Sequence, residues 1–199
     1  MSASAALDAV RADARGCRAC PLWEDATQTV FGEGPPRAPL MLVGEQPGDR
    51  EDLEGRPFVG PAGALLRRAL DDAGLEDEAV YLTNVVKHFK WKARGRRRIH
   101  DTPDRAEIEA CRPWLERELE LVRPRVVLCL GATAGRALLG PSVRVNRDHG
   151  RLAADGDGPA MGVTFHPSAV IRAREPGRAE MRRALVDDLA AAGAAAGAA

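Results

Sequence analysis

The sequence predicts an α/β protein: three layers, α/β/α, around a central, mostly parallel four-stranded sheet. Three observations predict it. Four short apolar runs rich in strand-forming residues recur along the chain, bounded by turn or polar residues. Stretches of helical pattern separate them. That alternation favours parallel strands covered by helices on both faces.

The first run, Pro39-Leu40-Met41-Leu42-Val43, ends at Gly44, and the second covers Ala79 to Val86 as AVYLTNVV. The third, Arg125 to Leu130, ends at Gly131, and the fourth, Met161 to Phe165, ends at His166. A helix opens after Pro61 as AGALLRRALDDAG. Another is placed at Thr102-Pro103, an N-cap followed by proline at the first helical position, and runs to about Val122. ATAGRALLG makes a third and Arg178 to Ala192 a fourth. One domain is expected over 1–199, with about 1–14 and 193–199 flexible. The end reads AAAGAAAGAA, which is low in complexity.

A chain of 199 residues is long enough for one ordinary domain with a core. Aromatics make up only 4%, so Leu, Val and Ala must fill that core. Formal net charge is zero, so bulk charge does not mark a nucleic-acid binder and local imbalance carries more weight. The imbalance is at KHFKWKARGRRRIHDTP: seven Lys or Arg lie between Lys87 and Arg98 without an acid, and His100 follows. No apolar run is long enough to cross a bilayer. The N-terminal stretch carries Asp8 and Asp13 and lacks the apolar segment of a signal peptide. The expectation is a cytoplasmic monomer with no membrane partner, its four cysteines serving as ligands or core residues.

Cys129 lies inside an apolar run and reads as core. Cys17-Arg18-Ala19-Cys20 is a CxxC, compatible with zinc, an iron–sulfur cluster or thiol redox chemistry. It precedes the first strand, which argues against a thioredoxin-like redox role. With Cys111 it makes three thiols, one ligand short of a tetrahedral site or a cubane. His88, just past the second strand, is placed to complete the set. The residues alone leave the metal open.

In a parallel sheet, ligands bind beyond the carboxyl ends of the strands. Gly44-Glu45-Gln46-Pro47-Gly48-Asp49 follows the first strand, with glycines that let backbone approach a ligand. It matches neither a dinucleotide fingerprint nor a phosphate-binding loop with its Lys-Ser or Lys-Thr. Asn84 stands in an otherwise apolar strand, where Asn is disfavoured; its amide offers the paired donor and acceptor that reading a nucleobase edge requires. Phe58, among glycines and prolines, is either a core plug or a stacking surface for a planar base. His166-Pro167-Ser168 follows the fourth strand directly. His149, in RDHGR, receives no catalytic role.

Taken together, GEQPGD, GRPFVGPAG, YLTNVVKHFK, CRPWLE, VVLCLGATA and TFHPS resemble the uracil-DNA glycosylase superfamily over about residues 15 to 190. Within it, the chain resembles UdgX-type enzymes, relatives of the iron–sulfur family 4 glycosylases. Three departures from ordinary family 4 sequences carry that finer likeness: GEQPG in place of GEGPG or GEAPG, His88 in place of a cysteine ligand, and the added RRRIH loop.

The resemblance implies a [4Fe-4S] cluster held by Cys17, Cys20, His88 and Cys111, ordering the DNA-binding loops. It implies that Asn84 reads uracil and Phe58 stacks on it, with Gly44, Gln46, Gly48 and Asp49 completing the pocket around base and sugar. It makes His166 the group that stabilises charge on departing uracil. Lys90, Arg96, Arg97, Arg98 and Ser168 are expected to contact DNA, with uracil-containing single strands as partner. Finally, it implies that His100 attacks C1′ of the deoxyribose as a neutral imidazole oriented by Glu45, leaving protein and DNA joined. Two alternatives stand beside this reading. One is a glycosylase that turns over with water as nucleophile, and the other is a non-catalytic iron–sulfur DNA-binding module.

Overall fold

The architecture comes from a computed structural model, which describes residues 2–154 and 156–198. Helices α1 (Ala3–Ala14) and α2 (Leu22–Asp25) precede strand β1 (Leu40–Gly44). Helices α3 (Asp49–Glu54) and α4 (Pro61–Asp72) lead to β2 (Val80–Asn84). Strands β3 (Trp91–Arg94) and β4 (Arg97–His100) come next, followed by the long α5 (Arg105–Val122). The chain continues through β5 (Val126–Leu130), α6 (Ala132–Leu139), α7 (Val145–Asp148), β6 (Leu152–Ala153) and β7 (Ala160–Thr164), and closes with α8 (Pro167–Arg172) and α9 (Gly177–Ala196).

The main sheet has the order β2-β1-β5-β7-β6. The four strands expected from the apolar runs pair in parallel. The fifth, β6, joins β7 antiparallel through Leu152 and Ala153, so the sheet has five strands rather than four. Two residues are too few to leave a period in the sequence. Every residue of β1 and β5 is buried, as a strand covered on both faces requires. Met41, Val43, Val127 and Cys129 face one core, with Leu7 and Val10 of α1 and Leu115 of α5. Leu40, Leu42 and Leu128 face the other, with Leu66 and Leu70 of α4 and Leu185 and Leu189 of α9.

Four expectations are corrected. Residues 1–14 were expected to be flexible, yet α1 buries Leu7, Val10 and Ala14. Twelve helical residues are marginal alone, but each buried Leu or Val side chain contributes roughly 1.5–3 kcal/mol. The 193–199 segment was likewise expected to fray, yet α9 reaches Ala196 with Gly193 and Ala196 buried. Met1 and Ala199 lie outside the described residues. The helix placed at Thr102-Pro103 begins at Arg105 instead, because Asp104 and Glu107 form a reciprocal capping box. The basic loop is an antiparallel hairpin, with Trp91 opposite His100 and Gly95 supplying the left-handed turn at φ +61°.

Candidate active site

The carboxyl ends of β1, β2, β5 and β7 open into a cleft of about 900 Å³. Glu45, Phe58, Asn84, Thr133 and His166 line it, and His100 at the end of β4 borders it. Asn84 and Phe58 are buried and meet across Gly44. A Cβ at Gly44 would lie 2.3 Å from Asn84 Oδ1 and 2.7 Å from Phe58 Cζ, so glycine is needed for these side chains to close on each other. Phe58 itself has φ +55°, a left-handed conformation that an aromatic residue adopts only under constraint. The constraint is visible: Arg67 Nη2 donates to the Phe58 carbonyl at 3.0 Å, and Gly63 leaves room for that carbonyl.

Ser168 lines the cleft beside His166 and holds that ring. Its backbone N–H donates to His166 Nδ1 at 3.1 Å, and its hydroxyl lies 2.8 Å from the same atom. Nδ1 therefore carries the lone pair, and Nε2 carries the proton of a neutral ring. Burial pulls the His166 pKa down to about 4; Glu45 opposes this, while Arg172 and His100 add to it. At neutral pH the ring is an uncharged hydrogen-bond donor in the cleft, 6.5 Å from Phe58 between centroids.

On the other side, His100 Nε2 lies 3.1 Å from Glu45 Oε1, and Thr133 donates its hydroxyl to Glu45 Oε2. Burial raises the Glu45 pKa, but the hydrogen bonds from His100 and Thr133 and the two nearby histidines outweigh it, and the net shift is downward. Glu45 is thus an ionised carboxylate with each oxygen engaged.

Gln46 and Asp49 line the cleft, and their side chains are also engaged with the hairpin. Gln46 Nε2 donates to the carbonyls of Lys90 and Asp101, both at 3.0 Å, and Oε1 accepts from Lys90 N–H at 3.1 Å. The amide is consumed in clamping the base of the hairpin. Asp49 gives its carboxylate to Arg98 at 2.6 Å. The basic run divides in the same way. Arg98 also pairs with the fully buried Asp52 at 2.6 Å and lies over Phe89 and Trp91. Lys90 pairs with Glu107 and Asp104. Arg98 and Lys90 are tethered by these ion pairs, whereas Arg96 and Arg97 are exposed near the hairpin turn.

The four candidate ligands lie apart from the cleft. Thr29 donates its one proton to the Ala14 carbonyl at 2.9 Å and is 3.0 Å from His88 Nε2, so Nε2–H is the donor between them. That leaves the lone pair on His88 Nδ1, which is buried without a partner among the described residues. Burial lowers the His88 pKa, with Asp52 opposing, and the ring is held in the state of a ligand imidazole. Cys111 Sγ accepts from Lys87 N–H at 3.2 Å and Cys17 Sγ from Trp114 Nε1–H at 3.1 Å, contacts that favour thiolates. Burial pushes Cys111 up to about 11, so a thiolate there calls for a bound cation. Among the described residues, no group of three or more His, Cys, Asp or Glu is arranged to hold a single metal ion.

Sequence reasoning missed three residues. Thr133 sits in the GATAG exit, where its hydroxyl gave no signal of its own. Lys87 was counted with the basic run but is fully buried, donating to Glu118 Oε2 at 2.5 Å and to Thr83 Oγ1 and the Asn84 carbonyl at 2.7 Å. Glu118, thirty-one residues away, also accepts from Gly32 N–H and Tyr81 OH. The pair fixes the end of β2 where Asn84 enters the cleft.

Fold and cleft together define a three-layer α/β/α protein with a histidine-bearing cleft at the carboxyl ends of its parallel strands. The family model described as the uracil DNA glycosylase superfamily matches residues 31–190. A Type-4 uracil-DNA glycosylase of Thermotoga maritima is 36% identical over 184 residues, covering 92% of this chain and 91% of that protein. One from Sulfurisphaera tokodaii is 41% identical over 126 residues, 63% of this chain and 54% of that protein. One from Archaeoglobus fulgidus is 42% identical over 130 residues, 65% and 62% respectively. The match thus spans about half the length of the Sulfurisphaera relative and nearly all of the Thermotoga one. The chain belongs to the uracil-DNA glycosylase superfamily.

Proposed function

We propose that the protein is a UdgX-type uracil-DNA glycosylase, which excises uracil from single-stranded DNA and ends joined to the abasic sugar through His100. The observation that carries this is the His100–Glu45 contact on the same cleft as Asn84, Phe58 and His166. An exposed histidine in a basic ribbon is ordinarily a solvated residue; one held 3.1 Å from an ionised carboxylate at the edge of the cleft is oriented.

A base must leave the stack to be reached. In the cleft, Phe58 stacks on uracil and the Asn84 amide bonds its polar edge. His166 Nε2–H donates to the uracil oxygen where negative charge gathers as the glycosidic bond breaks. The neutral His100 imidazole uses its lone pair to form the bond to C1′ as the C1′–N1 bond breaks, and that electron pair leaves on uracil. Glu45 compensates the positive charge that develops on the ring and takes up its N–H proton. The DNA strand is held by Arg96 and Arg97. Cys17, Cys20, Cys111 and His88 Nδ1 would hold a [4Fe-4S] cluster, supported by the unpartnered imidazole nitrogen and the two N–H···S contacts. Such a cluster supplies a structural cross-link between α5 and the segments around Cys17 and His88.

The test is a denaturing gel of the protein with a labelled uracil-containing single strand, wild type beside His100→Ser. The expected result is a shifted band that survives heat and SDS with wild type only. Alkali-labile strand without a shifted band would mean turnover with water. If cluster-loaded protein gives neither a shifted band nor an alkali-labile strand, the glycosylase reading fails.

A further inference from the structure

Beside the uracil cleft lies a second lobe of about 460 Å³, and three residues, Asn146, Phe165 and Met181, line both. We propose that this lobe is a subsite for the nucleobase next to uracil in the same strand, built around His149 and Asp188. The proposal rests on the glycosylase reading, because the occupant is the neighbouring base of that substrate.

The wall of the lobe is a constructed one. His149 Nδ1 lies 3.0 Å and 3.3 Å from the two carboxylate oxygens of Asp188, which is buried on α9. Thr164, the last residue of β7, donates to the same carboxylate at 2.6 Å. Gly150 has φ +73°, and a Cβ there would lie 2.7 Å from Asp188 Oδ1. The chain thus spends a glycine, a buried acid and a strand-terminal hydroxyl on fixing one imidazole. With Nδ1–H given to Asp188, Nε2 is the atom left for another partner, and no hydrogen bond to it is made among the described residues.

The surfaces suit a planar, partly polar guest. The His149 and Phe165 rings are 4.9 Å apart between centroids and tilted by 48°, so they form an aromatic corner, with Met181 beside it, against which one base face can lie. Asn146 and Glu180 supply an amide and a carboxylate for a base edge. The lip suits a phosphate chain: Ala173 and Gly177 line the lobe, and the adjacent Arg172 and Arg174 are exposed without a carboxylate partner among the described residues, while Arg178 donates Nε–H to the Ala173 carbonyl at 2.9 Å. Phe165 immediately precedes His166, so the wall of the lobe and the group beside departing uracil are consecutive residues of one chain segment.

The test uses three single strands: one with ordinary bases on both sides of uracil, and two in which a tetrahydrofuran abasic unit replaces the base on either side. Uracil release is measured as kcat/KM for wild type, His149→Ala and Ala184→Leu, the latter filling the lobe from α9 one turn before Asp188. The expected result is that wild type loses at least fivefold on one substrate only, the one lacking the base that enters the lobe. In both variants that ratio falls to near one. Equal rates on all three substrates, or a preference that survives in Ala184→Leu, would overturn the subsite and leave the glycosylase reading intact. Absence of release from every substrate would sink both.

Discussion

His100 Nε2 stands 3.1 Å from Glu45 Oε1, while the other oxygen of that carboxylate receives the Thr133 hydroxyl. The hairpin and the β5 exit therefore meet on one side chain, which sits at the β1 exit. On the proposed reading, replacing Glu45 by Gln keeps the shape and removes the charge that supports a developing imidazolium. Adduct formation at neutral pH is expected to slow by roughly a hundredfold, measured as the rate of appearance of the SDS-stable band. An unchanged rate would remove Glu45 from the reaction.

His166 predicts an acid-side loss of stability. Its folded pKa is about 4, below the unfolded value of about 6.5. Between those two values the unfolded chain binds a proton that the folded chain refuses, so stability falls as pH drops through this window. The shift corresponds to at most roughly 3–4 kcal/mol. Urea unfolding midpoints of wild type and His166→Asn, measured from pH 7 to pH 4, are expected to converge as wild type loses its margin. Parallel curves would mean that the ring is not held neutral.

The arginine run separates by salt. Arg96→Ala and Arg97→Ala should each reduce the slope of log Kd against log salt by roughly one for single-stranded DNA, with little change in unfolding. Arg98→Met should act in the opposite way. It leaves the buried Asp52 without its cation, and the cost is expected on stability, on the order of 3 kcal/mol. A uniform effect of all three on DNA affinity alone would contradict this division.

Lys87 and Glu118 make a matched test in the core. Lys87→Met strands a buried carboxylate and should cost about 3–5 kcal/mol in urea unfolding. Adding Glu118→Gln restores neutrality while keeping an acceptor for Gly32 N–H and Tyr81 OH, and should recover much of that loss. No recovery would mean that packing of the lysine stem, rather than charge, holds the end of β2.

Much of this was legible from one sequence. Strand exits can be read because the parallel strands are short apolar runs with abrupt ends, which put Gly44, Asn84 and His166 at one edge of the sheet. Phe58 and Asn84 stood out as residues in unsuitable surroundings. The hairpin was not legible, since WKARGRRRIH has charges on both faces and no apolar period. For Gln46 and Asp49 the region is legible but the hairpin partners are not: the backbone of Lys90 and Asp101, and the Arg98 side chain, lie 44 to 55 residues away. Lys87 misled because a lysine among lysines reads as solvated, and its acid lies on a separate helix.

The two strands of the hairpin bond to each other and to no strand of the main sheet. Gln46 fastens its root and Arg98 its flank, so its connection to the body is a handful of polar contacts. Removing it would leave every main-sheet pairing in place. On the reading proposed above, the base-reading floor and the ribbon bearing the nucleophile are separate inheritances. A lineage could acquire permanent attachment to its product by gaining one short ribbon, and could return to turnover by losing it together with Asp52, the buried acid that Arg98 neutralises.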